Sequence, residues 1–343
     1  MNSKTPKTMN LALQGGGAHG AFTWGVLDRL LEEESLSIEG ISGTSAGAIN
    51  GTLLAYGMAS GGRAHARTLL RAFWQEVSLA AVFSPLQPTM LDKMFGNRDF
   101  AFSPAFYAME AFTRMFSPAQ FNVFDFNPLR DVLKKFIDFD ALRKNGNIKL
   151  FVNATNVLNG KPKVFRDGEV TIDVLLASVC LPFIFKTVEV HGTPYWDGGY
   201  VGNPSLFPLI YHCESRDCLI VQINPIHIHE APKTAPDILD RVNEISFNSS
   251  LMHEIRSIAF VQKLIEQGAL QNTGYKYMLM HMIEAEEIME GLGRASKFNA
   301  DWEFLEHLSE TGRQTAEDWL NLHYDAIGKE STVDIRKVFL SEE

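Results

Sequence analysis

The first sixty residues alternate between short apolar runs and longer amphipathic ones. "NLAL" (10–13) suits a buried strand. "GAFTWGVLDRLLEEE" (20–34) places Val26, Leu27, Leu30 and Leu31 at helical spacing and closes on a run of glutamates. "LSIEGISGTSAGAINGTLLAYGMA" (36–59) predicts a second strand, a tight turn across Gly43–Gly47 and a second helix. Strand, helix, strand, helix at this spacing implies a mostly parallel sheet with helices on its faces. Further along, "IKLFVNATNVLNG" (148–160) and "KPKVFRDGEV" (161–170) regain strand character, and "TIDVLLASVCLP" (171–182) predicts a buried helix stopped by Pro182. "KTVEVHGTPYWDGGYVGNPS" (186–205) suggests a hairpin running into a glycine-rich turn, and "DCLIVQINP" (217–225) a core strand.

Beyond about residue 230 the pattern is mostly helical. Long amphipathic helices are expected over 236–268 and 301–327, with "YKYMLMHMIEAE" (275–286) as one further strand. This divides the chain softly into a core, 9–230, and a C-terminal extension, 231–343. The stretch 82–126 stands apart: ten of the chain's 24 phenylalanines lie there, with Met90, Met94, Met109 and Met115 among them. Phe83, Phe95, Phe100, Phe102, Phe106, Phe112 and Phe116 do not keep to one helical face. Such a segment suits an acyl-chain groove or a membrane-contacting cap, and equally the core of a small subdomain.

Composition narrows the classes. At 343 residues, 45% hydrophobic and 21% charged, the chain has ample core material. A net charge of −10 and no Lys/Arg-dense stretch argue against a nucleic-acid partner. Cys180, Cys213 and Cys218 form no metal-binding spacing and fit a reducing compartment. "MNSKTPKTMN" lacks an apolar signal region, and no apolar run approaches a membrane span. The expectation is a cytoplasmic protein, at most peripheral at a membrane, with signal-less secretion left open.

Two glycine-rich turns carry candidate chemistry. "QGGGAHG" (14–20) fits Gly15-x-Gly17-x-x-Gly20, a dinucleotide fingerprint, and equally a loop whose bare amides hold a developing oxyanion. Gly43-Thr44-Ser45-Ala46-Gly47 is a G-x-S-x-G pattern between strand and helix. There Gly43, Ala46 and Gly47 keep a sharp turn free of bulk so that Ser45 projects its hydroxyl. A serine needs a base. His65, His191, His227 and His229 sit in no distinctive motif, and His253-Glu254 lacks the second histidine of a zincin helix. Asp197, opening the turn Asp197-Gly198-Gly199, is the better base, because burial there raises the carboxylate's basicity.

The ordered set "GGGAHG" (15–20), "GTSAG" (43–47) and "DGG" (197–199) resembles the patatin-like phospholipases, acyl hydrolases of the bacterial type. "ASVCLPFIF" (177–185) is similar to the small-residue helix and proline that precede the family's aspartate. The resemblance spans about residues 9–210. It implies a three-layer α/β/α fold of the patatin and lysophospholipase type with a largely helical C-terminal extension. It also implies a Ser45–Asp197 dyad, an oxyanion hole from Gly15, Gly16 and Gly17, an acyl-enzyme, a lipid or other acyl-ester substrate, and no metal or organic cofactor. His19 stands where the family usually keeps Arg or Lys, which predicts a titratable charge and weaker anion binding above neutral pH. Phospholipase A, lysophospholipase or related esterase activity is expected. An acyltransferase uses the same intermediate, a non-catalytic lipid-binding protein is the non-enzyme alternative, and a nicotinamide enzyme needs an acidic residue near Glu39 at the end of the second strand.

Overall fold

The structure, a computed structural model, describes residues 5–82, 100, 103–270 and 273–340. Phe83, Phe95, Phe102, Met90 and Met94 of the phenylalanine-rich stretch lie outside the described residues. The chain opens with β1 (Lys7–Leu13), α1 (Gly20–Glu32), β2 (Leu36–Thr44) and the helical run α2 (Ala46–Ala81), which breaks at Gly62, where φ is 77°. A glycine takes this left-handed conformation without the Cβ penalty that would strain other residues.

Then come α3 (Pro104–Met115), α4 (Pro128–Phe136), β3 (Lys149–Asn156), β4 (Pro162–Arg166) and α5 (Ile172–Ser178). β5 (Val188–Val190) and β6 (Thr193–Asp197) form the expected hairpin, and β7 (Asp217–Val221) follows. The remainder supplies α6 (Ala235–Glu266), β8 (Leu279–Ile283) and α7 (Trp302–His323).

The strands form one mixed sheet in the order β5-β6-β3-β2-β1-β7-β8, with β4 also paired to β3. β3, β2, β1, β7 and β8 run parallel, and β4, β6 and β5 are the antiparallel additions. β1 is buried at Met9, Leu11 and Leu13 because helices cover both sheet faces. From β1 the chain winds outward through β2 to β3, then crosses to the other side of β1 for β7 and β8. This reversal puts the topological switch point between β1 and β7, and the carboxyl ends of strands at such a point are where open α/β sheets bind ligands.

Residues 231–343 share this core. β8 extends the sheet beside β7, and α7 lies directly on α1. The helices approach closely because they are bare where they cross: a Cβ on Gly25 would strike the Ser309 carbonyl, and one on Gly312 the Phe22 carbonyl. Arg313 pairs with Asp28 and Glu32 at the rim of this contact. One hydrophobic cluster draws buried side chains from both sides of residue 230, among them Phe22, Leu27, Leu305 and Leu308.

Candidate active site

The turn from β2 into α2 carries Ser45 at φ 54° and ψ −124°, a conformation costly for any residue with a Cβ. Its neighbours hold it there. Gly47 packs against the Leu13 and Gln14 carbonyls at the end of β1, closer than a side chain would permit. Gly43 faces the Ala48 backbone, and Ala46 touches Gly20. The Ser45 N–H donates to Ser178 Oγ at 2.9 Å, and Ser178 Oγ donates to the Asn153 carbonyl at 2.7 Å. With α2 beginning at Ala46, the positive end of its dipole lies beneath the serine.

Asp197 ends β6 and is 1% exposed. Its Oδ1 accepts from the Gly199 N–H at 2.7 Å, and the Ser45 side chain is near enough to favour the charged carboxylate. Burial pushes the Asp197 carboxyl up to about 7, against the opposing pull of the Gly199 N–H and the Ser45 side chain. The backbone is also pinned: Asp197 N–H donates to the Cys180 carbonyl at 2.8 Å, and Thr155 Oγ1 donates to the Asp197 carbonyl at 2.7 Å. Gly198 lies against the Asn153 carbonyl and Gly199 against the Phe247 ring of α6, so neither position has room for a side chain.

The glycine loop closes the third side. A Cβ on Gly15 would come within 2.7 Å of Ser45 Cβ, so loop and serine are in direct contact. The three glycines differ in what their amides do. The Gly15 N–H donates to Asn203 Oδ1 at 2.7 Å. Asn203 is carried on a turn pinned to β2 by Thr44 Oγ1 on the Gly202 carbonyl and Ser42 Oγ on the Ser205 carbonyl, both 2.6 Å. Nothing among the described residues accepts from the Gly16 and Gly17 N–H groups.

His19 departs from expectation. It is 2% exposed, and its Nε2 lies 2.7 Å from Ser296 Oγ. Burial, with the nearby Lys297 charge adding to it, holds the ring well below the usual imidazole range. His19 is therefore a buried core residue whose surroundings favour the neutral ring over the titratable charge anticipated at this position. His65, His191, His227 and His229 are exposed, and the buried carboxylate that senses the Ser45 side chain is Asp197. Glu39 lies well before the end of β2, where it binds Lys149 and the Glu214 and Ser215 amides, so it cannot serve a ribose at the glycine loop. Glu254 accepts from the Leu206 and Phe207 N–H groups and caps the short helix that follows.

Several residues of this site carried no sequence signal of their own: Asn153, Thr155 and Asn203. Their roles depend on amides and carbonyls far away along the chain. A cleft of about 620 Å³ lies elsewhere, beside Phe151, Arg166, Asp167 and His212 at the opening of β3.

Exposed apolar side chains lie on the 122–126 turn and at Phe183. Lys186 Nζ reaches the Val123 carbonyl at 3.4 Å, and Cys180 Sγ bonds the Lys186 carbonyl at 3.1 Å. This places the 122–126 turn within reach of Lys186, just ahead of β5. On it Phe124 is 96% and Phe126 70% exposed, with Phe183 close by in sequence to Lys186 and also exposed. Phe112 clusters with Phe116 and Phe121 at ring separations of 5.0 and 5.3 Å.

Residues 11–210 match the family described as Patatin, patatin-like phospholipase. No curated protein matches the chain significantly. Among solved structures, VipD from Legionella pneumophila is similar at 16% identity and a TM-score of 0.43, over 93% of this chain and 67% of that one. The ExoU–SpcU complex of the Pseudomonas aeruginosa type III secretion system aligns over 98% of this chain and 58% of that one, at 16% identity and a TM-score of 0.37. This chain thus spans between about half and two thirds of the length of such structures.

Proposed function

The chain belongs to the patatin-like phospholipase family, and from that premise we propose that it is a serine acyl hydrolase of lipid esters, working through Ser45 and Asp197. The observation that carries this reading is a strained serine beside a buried carboxylate with its pKa raised to about 7. A base poised near the working pH combines a useful deprotonated fraction with real proton affinity.

The chemistry follows from the contacts. Ser45 Oγ attacks the ester carbonyl carbon as its proton passes to Asp197. The carbonyl oxygen, now anionic, takes hydrogen bonds from the Gly16 and Gly17 N–H groups. Gly15 drops out of that role because its N–H is committed to Asn203. Collapse of the intermediate breaks the ester bond, and the departing alcohol takes the proton from Asp197. Water then attacks the acyl-serine, yields its proton to Asp197, and releases the acid as Ser45 regains a proton. An alcohol acceptor in place of water would make the same intermediate an acyltransferase.

Lipid access is assigned to exposed aromatic side chains. Phe124, Phe126 and Phe183 suit shallow contact with a lipid surface, because exposed rings can bury apolar area there without a spanning segment. No helix among the described residues is long and apolar enough to cross a membrane. The deciding experiment incubates wild-type protein and Ser45→Ala with a mixed lipid extract and reads products by mass, alongside labelling by a fluorophosphonate. Released fatty acid and a single label, both lost in the variant, are expected. Label that persists in Ser45→Ala overturns the assignment.

A further inference from the structure

Lys297 lies outside the family match, on the 3-10 turn Arg294–Phe298 of the C-terminal region. That turn touches the glycine loop at two points: the Lys297 carbonyl occupies the space a Cβ on Gly17 would need, and Ser296 Oγ meets His19 Nε2 at 2.7 Å. The Lys297 ammonium continues into the loop by a chain of bonds. Its Nζ donates to Asn224 Oδ1 at 2.8 Å, and Asn224 Nδ2 donates to the Gly15 carbonyl at 2.9 Å. The Gly15 carbonyl and the Gly16 N–H are the two ends of one peptide unit. Asn224 is 1% exposed, so the chain of bonds runs through protein rather than water.

We propose that Lys297 is a positioning residue that polarises the Gly15–Gly16 peptide through Asn224 and so strengthens the Gly16 N–H as an oxyanion donor. Hydrogen bonds in series reinforce one another, most of all at low local dielectric and with a charged member. The ammonium draws electron density from the Asn224 amide, whose N–H then binds the Gly15 carbonyl more strongly. That carbonyl in turn withdraws density from its own peptide nitrogen. A positive charge thus reaches the loop from residue 297, while the loop's own position 19 holds a neutral, buried imidazole. The same Asn224 Nδ2 also contacts Gln14 Oε1 at 3.2 Å, and Gln14 Oε1 accepts from the Ile223 and Asn224 N–H groups. The asparagine is therefore fixed in the orientation the relay needs.

The inference rests on the functional reading above, with Gly16 facing the oxyanion. The test compares wild type, Lys297→Met and Lys297→Arg on p-nitrophenyl butyrate, a soluble uncharged ester, with thermal midpoints measured in parallel. Met keeps the apolar stem and removes the charge. Loss of a whole oxyanion donor costs about 10²–10³ in kcat, so weakening one should cost roughly tenfold. The expected result is a roughly tenfold lower kcat for Lys297→Met with KM and thermal midpoint unchanged, a matching fall in the fluorophosphonate labelling rate, and most of the loss recovered in Lys297→Arg. Unchanged kcat in Lys297→Met overturns the proposal, as does a loss accompanied by a lower thermal midpoint that Arg does not repair. Labelling or hydrolysis that survives Ser45→Ala overturns the functional reading itself, separately from Lys297.

Discussion

The two ends of the parallel sheet each hold a buried aspartate with hydroxyl chemistry nearby, and they are built to opposite effect. At the amino end of β7, Asp217 accepts from His281 Nε2 at 3.0 Å, and His281 Nδ1 meets Thr332 Oγ1 at 3.0 Å. By connectivity this Thr–His–Asp chain copies a hydrolase triad. Yet His281 is fully buried, with the Trp319 ring edge-on at 5.7 Å, and Asp217 also takes the Gly328 N–H at 2.6 Å. The bonds are satisfied, and Thr332 shows none of the positive-φ strain seen at Ser45. At the carboxyl end, Ser45 is strained and partly exposed, Asp197 has its proton affinity raised by burial, and two loop amides await a partner. A nucleophile and a base do not define a site. Stored strain and unspent donors do, because they are relieved only when a reacting group arrives.

This contrast can be broken by substitution. The largest effect is expected for Asp197→Asn, which removes the base and should lower kcat/KM by about 10³. The same change should stabilise the fold at alkaline pH. The folded carboxyl titrates near 7 against an ordinary 3.8, so the native state holds more protons between those values and stability falls as pH rises through them. Denaturant titration should find the Asn variant more stable by a few kcal/mol at about pH 8, with the gap closing toward about pH 4. Wild-type kcat/KM should itself rise about tenfold per pH unit below about 7 and level off above it, a profile read with a soluble ester. A flat profile across that window would remove Asp197 from the role of base.

The smaller effects separate lipid access and scaffold from chemistry. Phe124→Ser should lower activity on phosphatidylcholine vesicles about tenfold, since burying one such ring contributes roughly 1.5–3 kcal/mol, and leave the soluble ester unaffected. Thr332→Val should cost about 1–2 kcal/mol of stability by leaving His281 Nδ1 without its donor, with kcat unchanged. Activity lost in Thr332→Val at full stability would mean that the amino end of the sheet takes part in the reaction.

The alternation of apolar runs around the first two turns was enough to place β1, α1, β2 and the start of α2. Those elements are local, and their neighbours in sequence are their neighbours in space. The weak "YKYMLMHMIEAE" pattern did mark β8, whose alternating side chains are buried on both faces. His19 shows where local pattern fails. Its character depends on Ser296 and on the helices that bury it, and a residue 277 positions away leaves no trace in a seven-residue motif.

The sequence by itself determined the backbone devices: small residues at 43, 46 and 47 for a tight elbow, bare amides at 15–17, and a glycine turn after Asp197, each a matter of sterics over a few residues. Only the tertiary structure decided which of those amides remain available, how strongly the aspartate holds its proton, and where positive charge reaches the loop. Gly15 is spent on Asn203, Asp197 is desolvated by its surroundings, and the Lys297 ammonium joins the loop through Asn224. Hydrogen-bond partners and local dielectric are set by atoms brought together from distant parts of the chain, so they come into being only when the chain folds.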